Sequence, residues 1–234
     1  MKVTFLGTGV PIPYNKKAQS STLIEDGVKI LVDVGIGAMM RLDEIGFDVG
    51  ELDAICITHH HLDHNGDLLN ILKARWLLNC DTIKIFGPRG TKNFIESLLE
   101  SYPYLRRKLK FEIYEDEDFK VGDVKFRSIK TQHSIESRGY IVDDTLAISG
   151  DTKAIREFMS QECRIMIHEL SLPFGFIADY HTTPENLKEN LSYCRAEKIY
   201  LTHLYPMAYT VRDKILEFLE FNAEIAEDLM TFKV

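Results

Sequence analysis

Short blocks of apolar residues, separated by polar and glycine-containing stretches, run along the whole chain. Residues 3–6, 21–25 and 28–33 have the apolar and β-branched pattern of strands, and the corner at Glu25-Asp26-Gly27 predicts a tight hairpin turn. Residues 53–57 are almost entirely apolar, which is typical of a buried strand. The N-terminal part of the chain is therefore predicted to be rich in strands.

Beyond residue 57, strand patterns and helix patterns occur in mixed order. Helical spacing or helix start and stop signals predict helices at 39–45 (with Gly46 as the stop), 67–78, 91–102, 154–159, 184–193 and 212–222. Strands are predicted at 82–86, 110–114, 124–130, 140–142, 146–149 (after a turn at Asp143-Asp144), 164–167, 198–201 and 229–233. Because strands recur from end to end with helices between them, we expect a layered α/β fold with sheets inside and helices outside.

Length and composition suit one globular domain spanning residues 1–234. Hydrophobic residues make up 45% of the 234 residues, and no linker rich in Pro, Gly or Ser divides the chain. The apolar runs are too short to cross a bilayer, and the start of the chain does not resemble a signal peptide. Its four cysteines include no C-x-x-C pair, so a disulfide framework is not expected. We expect a cytoplasmic protein without a membrane partner.

The charge balance bears on possible partners. The 36 acidic and 28 basic residues give a net charge of −8, whereas proteins that grip long nucleic acids usually present a basic face. The acidity therefore argues against a large nucleic-acid footprint. It does not argue against a small phosphodiester held by metal ions.

Histidines carry most of the candidate chemistry. Four of the eight lie between positions 59 and 64, and most of the others come where a predicted strand has just ended. In layered α/β folds, active sites gather in the loops at strand ends. In an extended segment His59 and His61 point to the same side, so both can approach one metal, while Asp63 and His64 bend toward a second. Imidazole and carboxylate are the usual ligands of catalytic zinc.

This pattern resembles the metallo-β-lactamase superfamily, whose signature is H-x-H-x-D-H-x-x-G. The fragment here reads T-H-H-H-L-D-H-N-G-D, with the glycine one position earlier than in the signature. Further matches are T-Q-H-S around His133, I-S-G-D-T around Asp151 and Y-L-T-H-L-Y-P around His203. The resemblance implies a four-layer αββα sandwich with a two-metal site at one edge.

The resemblance also implies a ligand set. The first metal would take His59, His61 and His133, the second Asp63, His64 and His203, and Asp151 would bridge the two. Asp33, at the end of a predicted strand, resembles an acid that orients a ligand histidine. Each of the isolated residues has a plainer alternative: His133 could be a surface histidine, and Asp151 could cap a helix.

The N-terminal F-L-G-T-G-V-P-I-P is similar to that of the ribonuclease Z and phosphodiesterase branch of the superfamily. That branch carries H-E-A-T and H-S-T segments, which occur here as His168-Glu169-Leu170-Ser171 and His181-Thr182-Thr183. By resemblance, His181 would protonate the leaving oxygen and Glu169 would hold its imidazole, with Asp63 as the third catalytic residue. His60 is expected to point away from the metals.

One feature of that branch is missing. Ribonuclease Z enzymes usually carry a projecting arm that grips transfer RNA, often between the motifs of His133 and Asp151. These residues are only 151 − 133 = 18 positions apart, which leaves room for one hairpin. Residues 101–107 are the only other candidate arm. We therefore expect hydrolysis of a small or short phosphodiester, such as a cyclic nucleotide. An RNA end is the second candidate substrate, and a homodimer is the candidate oligomeric state.

Three alternatives stay open. A lactone or thioester hydrolase of the same fold would polarise a carbonyl in place of a phosphoryl group. A transfer RNA 3′-processing endonuclease would need an RNA-binding surface, and a non-catalytic metal-binding protein would need only the ligands. The expected cofactor is a pair of divalent ions, with zinc first and manganese or iron also compatible with these ligands.

Overall fold

The computed structural model describes residues 1–115 and 118–234, which form two mixed β-sheets. In the described part of the chain, the strands of the first sheet are β1 (Lys2–Gly7), β2 (Ser21–Glu25), β3 (Lys29–Val32), β4 (Ala54–Cys56), β5 (Ile83–Phe86), β6 (Phe111–Tyr114) and β14 (Thr231–Lys233). Their order is β14-β1-β2-β3-β4-β5-β6, antiparallel from β14 to β3 and parallel from β3 to β6.

The second sheet has the same mixed character. Its described strands are β7 (Asp118–Val121), β8 (Val124–Lys130), β9 (Arg138–Val142), β10 (Leu146–Ile148), β11 (Ile165–Glu169), β12 (Lys198–Thr202) and β13 (Ala223–Ile225). They lie in the order β13-β12-β11-β10-β9-β8-β7, and β10 to β13 are parallel. Within each sheet, the carboxyl ends of the parallel strands therefore lie at one edge, and the loops that follow these strands are neighbours.

Helices cover the outer face of each sheet. Those described are α1 (Ala38–Glu44), α2 (Leu62–Asn65), α3 (Leu68–Leu77), α4 (Thr91–Ser101), α5 (Arg156–Met159), α6 (Pro184–Asn190), α7 (Pro206–Tyr209) and α8 (Arg212–Leu219). Apolar residues of α1, α3 and α4 pack on the first sheet, and those of α5, α6 and α8 pack on the second. The predicted αββα sandwich is confirmed.

The sheets are joined by a shared apolar interior. In β3, Ile30 and Val32 face this interior and Leu31 faces the helices, so the strand is buried on both sides and its sequence is continuously apolar. Phe86 of the first sheet stacks on Phe119 of the second, with ring centroids 3.8 Å apart. This common core holds the ends of the two sheets in a fixed relation.

Several predicted element bounds are wrong. The predicted helix 212–222 ends at Leu219, because Glu220 has a left-handed backbone with a φ of 50°. The predicted helix 184–193 ends at Asn190 and continues as a 3₁₀ turn, Leu191–Tyr193. Strand β11 extends to Glu169, two residues beyond the predicted end. Sequence patterns also missed β7, β13, the short helices α2 and α7, and the 3₁₀ turn Val49–Glu51, all of which have few residues.

The hairpin between β9 and β10 bears on the predicted lack of an arm. Asp143 and Asp144 form its turn with φ values of 48° and 51°, a left-handed pair that matches the twist of a two-residue hairpin. The described residues between His133 and Asp151 thus hold one tight hairpin, as predicted. Residues 101–107 comprise the last residue of α4 and a short run of turns that follows it. No helix in the described ranges has the length and apolarity needed to span a membrane.

Candidate metal centre

The predicted ligands come from both sheets and meet at one edge of the sandwich. The segment from His59 to His64 follows β4 and runs into α2, which contains Asp63 and His64, while His133 follows β8, Asp151 follows β10 and His203 follows β12. Strand ends of both sheets meet here because the shared core aligns the sheets. Residues up to 144 positions apart, from His59 to His203, are thereby brought into contact range.

The donor atoms form two groups that share one carboxylate. Within each group, the ligand atoms all lie within 4.8 Å of one another. The first group is His59, His61, His133 and Asp151, and the second is Asp63, His64, Asp151 and His203. The structure therefore brings together all seven predicted ligands, in the two sets that the resemblance implied. That they bind metal stays a prediction.

Asp151 lies between the groups. Its Oδ1 is 3.2 Å from His64 Nε2, and its Oδ2 is 3.6 Å from His203 Nε2 and 3.8 Å from His59 Nε2. Burial raises the pKa of Asp151, but the adjacent His203 and His64 lower it more, so its pKa lies well below the ordinary value. The carboxylate is therefore ionised, with oxygens facing both groups.

Two ligand imidazoles are oriented by bonds on the side away from the cluster. His64 Nδ1 donates to Asp33 Oδ2 at 2.7 Å, as expected for Asp33. Thr58 Oγ1 donates its only hydrogen to Asp33 Oδ2, so it accepts a hydrogen from His59 Nδ1, which lies 3.0 Å away. Both rings therefore keep a hydrogen on Nδ1 and turn Nε2, the nitrogen that would bind a metal, toward the cluster.

The same logic fixes two further rings. His133 Nδ1 donates to the carbonyl oxygen of Tyr180 at 3.0 Å. His203 Nδ1 is 3.0 Å from Ser171 Oγ, which already donates to Glu169, so the histidine is the donor. Their Nε2 atoms thus also face inward. His61 differs because its Nδ1 faces inward, 3.1 Å from His59 Nε2 and 3.0 Å from His133 Nε2.

This arrangement is suited to cations. Ring nitrogens of neighbouring imidazoles converge, as at His64 Nε2 and His203 Nε2, 3.4 Å apart. Asp151 Oδ1 is buried, and its 3.2 Å contact with His64 Nε2 lacks the geometry of a hydrogen bond. Burial, followed by the nearby His64, holds the pKa of His59 well below its ordinary value, so that ring is neutral as metal binding requires. The donor set of imidazoles and carboxylates suits zinc, manganese or iron.

Local backbone conformation helps to place these groups. Asp33 and His203 have left-handed φ values of 58° and 59°, which are uncommon for residues with a side chain. Such a conformation costs on the order of 1–3 kcal/mol and persists where the surrounding structure determines it. At Gly150, before Asp151, a Cβ atom would come within 2.7 Å of Thr58, so only glycine lets the two loops approach.

Beside the cluster, His181 and Glu169 form a pair. His181 Nδ1 lies 2.9 Å from Glu169 Oε1, and the ring centroid of His181 is 5.1 Å from that of His133. The imidazole is about one-fifth exposed, whereas Glu169 is buried. Burial lowers the pKa of His181, but the hydrogen bond and charge of Glu169 raise it more, so its pKa lies above the ordinary value. The ring can thus carry a proton near neutral pH.

Glu169 also ties three loops together. Its carboxylate accepts hydrogen bonds from the backbone N–H groups of Thr152, Ser171 and Thr182 and from the Ser171 hydroxyl. Thr152 follows Asp151 and Thr182 follows His181. One buried carboxylate therefore sets the distance between the acid candidate and the metal ligands.

Two histidines lie outside the cluster. His60 points away from it, as predicted, with Nε2 bonded to Thr91 Oγ1 at 2.8 Å and the ring stacked on Phe94. Burial lowers the pKa of His60 to about 4. His168 is fully buried and its Nδ1 donates to the carbonyl of Glu169.

Sequence reasoning missed the contacts of Thr58 and Ser171. Ser171 occupies the last position of H-E-L-S, where the related segment has threonine, so a hydroxyl is retained there. That shared hydroxyl was the available signal for Ser171. Thr58, directly before the histidine segment, offered no signal beyond its position.

The fold and the donor set together define a metal-dependent hydrolase of the metallo-β-lactamase type. The chain belongs to the family described as anti-Pycsar protein Apyc1, whose match covers residues 1–224. Ribonuclease Z of Mycolicibacterium gilvum is 28% identical over 242 residues, which cover 88% of this chain and 85% of that protein. Ribonuclease Z of Methanopyrus kandleri is 31% identical over 176 residues, covering 73% of this chain and 61% of the relative.

Solved structures share the fold. The metallo-β-lactamase fold protein YhfI of Bacillus subtilis superposes with a TM-score of 0.82 at 20% identity, covering 99% of this chain and 98% of YhfI. The short form of human tRNase Z gives a TM-score of 0.81 at 24% identity, covering 100% and 99%. The predicted ribonuclease Z-like class, a metal-dependent phosphodiesterase of the metallo-β-lactamase fold, is confirmed.

Proposed function

We propose that the chain hydrolyses small or short phosphodiesters, with cyclic nucleotides or other cyclic phosphates as the substrate class, at a two-metal centre. The observation that carries this proposal is the position of a protonatable histidine beside two donor groups that share one carboxylate. A metal pair and a separate acid are what hydrolysis of a phosphodiester with an alkoxide leaving group requires.

In this proposal each side chain has one task. Bound by the seven ligands, two divalent ions would supply Lewis-acid polarisation of the phosphate and a more acidic water. His181 donates its Nε2 proton to the departing oxygen, and Glu169 keeps the ring oriented by accepting its Nδ1 hydrogen. Asp63, whose Oδ2 lies 3.0 Å from His203 Nε2, serves as a ligand at the reacting centre.

The shape of the site supports a small substrate. The described chain between His133 and Asp151 holds a hairpin and no projecting arm, and the net charge is −8. A long RNA would need a basic surface to neutralise its phosphates. An RNA end that presents one phosphodiester to the metals is the second candidate substrate, favoured by the ribonuclease Z relatives.

The metal, the extent of the domain, the oligomeric state and the compartment complete this proposal. Zinc is the preferred metal because most of the ligands are imidazoles. The site takes ligands from both sheets, which supports one domain over residues 1–234. A homodimer is the proposed oligomeric state, with the exposed side chains of Met40 and Leu77 as candidates for its interface. The four free cysteines suit a reducing compartment such as the cytoplasm.

A substrate panel tests the proposed function. Protein loaded with zinc, manganese or iron is assayed with cyclic nucleotides, transfer RNA precursors, lactones and thioesters, and its metal content is measured. We expect the highest kcat/KM with cyclic nucleotides and about two metal ions per chain. Faster turnover of precursor RNA or of lactones would replace this proposal by one of its rivals. A folded protein that retains no metal would reject it.

Replacing Glu169 with glutamine should move the pH profile. Glu169 raises the pKa of His181, and a general acid must be protonated, so activity is lost as pH rises through that pKa. Without the negative charge the pKa falls, and the alkaline limb of kcat should move to lower pH. On that limb activity falls about tenfold for each pH unit by which the pKa of His181 decreases.

The profile of kcat against pH, together with NMR titration of the His181 ring, measures this change. Glu185→Gln is the matched control, because Glu185 accepts a hydrogen bond from Gly175 in the same loop region without contacting His181. An unchanged alkaline limb in Glu169→Gln, with the fold intact, would exclude the proposed pairing.

A further inference from the structure

We infer that a pocket directly behind the histidine segment binds the nucleobase of the substrate, an inference that rests on the proposed function. The pocket has a volume of about 440 Å³ and lies between α2, α3, α4 and the turns that follow α4. Pockets for small organic ligands commonly measure about 300–1,000 Å³. Its lining is largely apolar and aromatic, with a few polar groups, which is the usual character of a small-molecule site.

The pocket and the metal centre share one wall. His60, Leu62 and Asn65 line the pocket, and each is the direct chain neighbour of a proposed metal ligand. Side chains of this segment alternate in direction, so His59 and His61 face the metal cluster while His60 faces Thr91 and Phe94. The pocket therefore lies across this one segment from the candidate metal cluster.

Two polar atoms of this wall lack partners. Asn65 is 95% buried, and its Nδ2 has no hydrogen-bond partner among the described residues; the same holds for His60 Nδ1. Thr91 Oγ1 donates to the carbonyl oxygen of Pro88, so it accepts from His60 Nε2, which leaves Nδ1 as an acceptor. The wall thus offers one N–H donor and one nitrogen acceptor.

The Asn65 N–H donor and the His60 nitrogen acceptor favour a nucleobase as the ligand of this pocket. Every nucleobase carries hydrogen-bond donors or acceptors on the edge of a flat ring, whereas a plain aryl group carries none. A buried amide left without a partner costs free energy, so a ligand that satisfies it gains affinity.

Aromatic side chains provide the matching faces. Phe94, Tyr102 and Tyr104 line the pocket, and both tyrosines lie in or next to the turn segment after α4. A base of any identity can stack on an aromatic side chain. Lys73, 6.0 Å from the ring of Tyr104, adds a positive charge to a chain that is acidic overall. An anionic nucleotide is therefore a better match for this pocket than an apolar segment of a second chain.

The experiment compares two substrates that differ in the base alone: a 3′,5′-cyclic nucleotide and the corresponding methyl riboside cyclic phosphate. The variants are Phe94→Ala, which removes an aromatic face, and Leu98→Trp, which fills the pocket. Discrimination is the ratio of kcat/KM for the two substrates. We expect it to fall about tenfold or more in each variant, because stacking of one base contributes on the order of one to two powers of ten in affinity.

Leu216→Trp is the matched control, since Leu216 is also a partly exposed helical leucine but lies on α8 against the other sheet. It should leave the ratio unchanged. If wild-type protein hydrolyses both substrates and neither pocket variant changes the ratio, the pocket inference is wrong and the proposed function stands. A change in molecular mass by light scattering in the variants would instead assign the pocket to a second copy of the chain.

If the wild type hydrolyses neither substrate, the proposed function fails, and calorimetric binding of free nucleosides decides the pocket separately. Binding that Leu98→Trp weakens would then support a nucleobase site. Absence of binding would overturn it.

Discussion

Asp151→Asn is expected to lose about a thousandfold or more in kcat and to retain no more than about one metal ion per chain. Asp151 is the one residue whose carboxylate belongs to both donor groups. An amide of the same shape presents a single neutral oxygen and an N–H group, which cannot serve two cations. The paired centre, and with it the activation of water near neutral pH, should therefore be lost.

The variant separates a metal role from the capping alternative considered for Asp151. No hydrogen bond in the described structure runs from a helix N–H to its side chain, and α5 begins later, at Arg156. Asparagine is as good a helix cap as aspartate, so a pure cap would lose little on substitution. Metal content by mass spectrometry of the native protein, with kcat, distinguishes the two.

Asp144→Asn is the control for Asp151→Asn. Asp144 lies seven positions earlier in the β9–β10 hairpin, is exposed and pairs with Arg127 at the surface. It should keep both metals and full activity. Two metals in Asp151→Asn with kcat near that of the wild type would show that Asp151 does not bridge.

Much of the site could be predicted because its information is local. The segment from His59 to His64 carries four candidate ligands within six positions, and strand alternation alone separates His59 and His61 from His60. Asp33 was predictable for a similar reason, since it ends a clearly apolar strand. Motif resemblance then supplied His133, Asp151 and His203, which no local pattern connects to the cluster.

The groups that orient the ligands could not be predicted in this way. Tyr180 contributes a backbone carbonyl, which every residue has, so nothing in its side chain marks the role. Thr58 and Ser171 act because their hydroxyl groups are already committed to Asp33 and Glu169, which fixes which histidine nitrogen carries the hydrogen. Such chains of donors depend on distances between loops from both sheets, and those distances follow from tertiary packing.

The missed and misplaced elements have a related cause. Strand β13, Ala223–Ile225, has three residues and pairs only because β12 lies beside it. Strand β7 lies at the edge of the second sheet and has only four residues. Its alternation of polar and apolar residues is therefore too short to give a clear strand signal. Tertiary context decides such short elements, whereas the long apolar strands of the interior are specified by their own residues.

His181→Ala is expected to reduce kcat for cyclic nucleotides by about a hundredfold to ten-thousandfold, the range typical of a lost general acid. The same variant should change turnover of bis-p-nitrophenyl phosphate by a much smaller factor. A sugar alkoxide is a poor leaving group and needs the proton that His181 holds, whereas p-nitrophenolate leaves as a stable anion without one. The dependence on the leaving group thus isolates the acid role from a general loss of structure.

Both substrates are measured on one preparation of each protein, so the aryl ester serves as the internal control, and metal content confirms that the ligands are intact. His181 donates to Glu169, and its ring neighbours His133, so a structural role would weaken metal binding and slow both substrates alike. Equal losses on the two substrates would therefore reject the acid role. Retained turnover of the cyclic nucleotide would reject it as well, and would point to Tyr205 as the proton donor, because its ring centroid lies 6.1 Å from that of His181 and burial raises its pKa above the ordinary value.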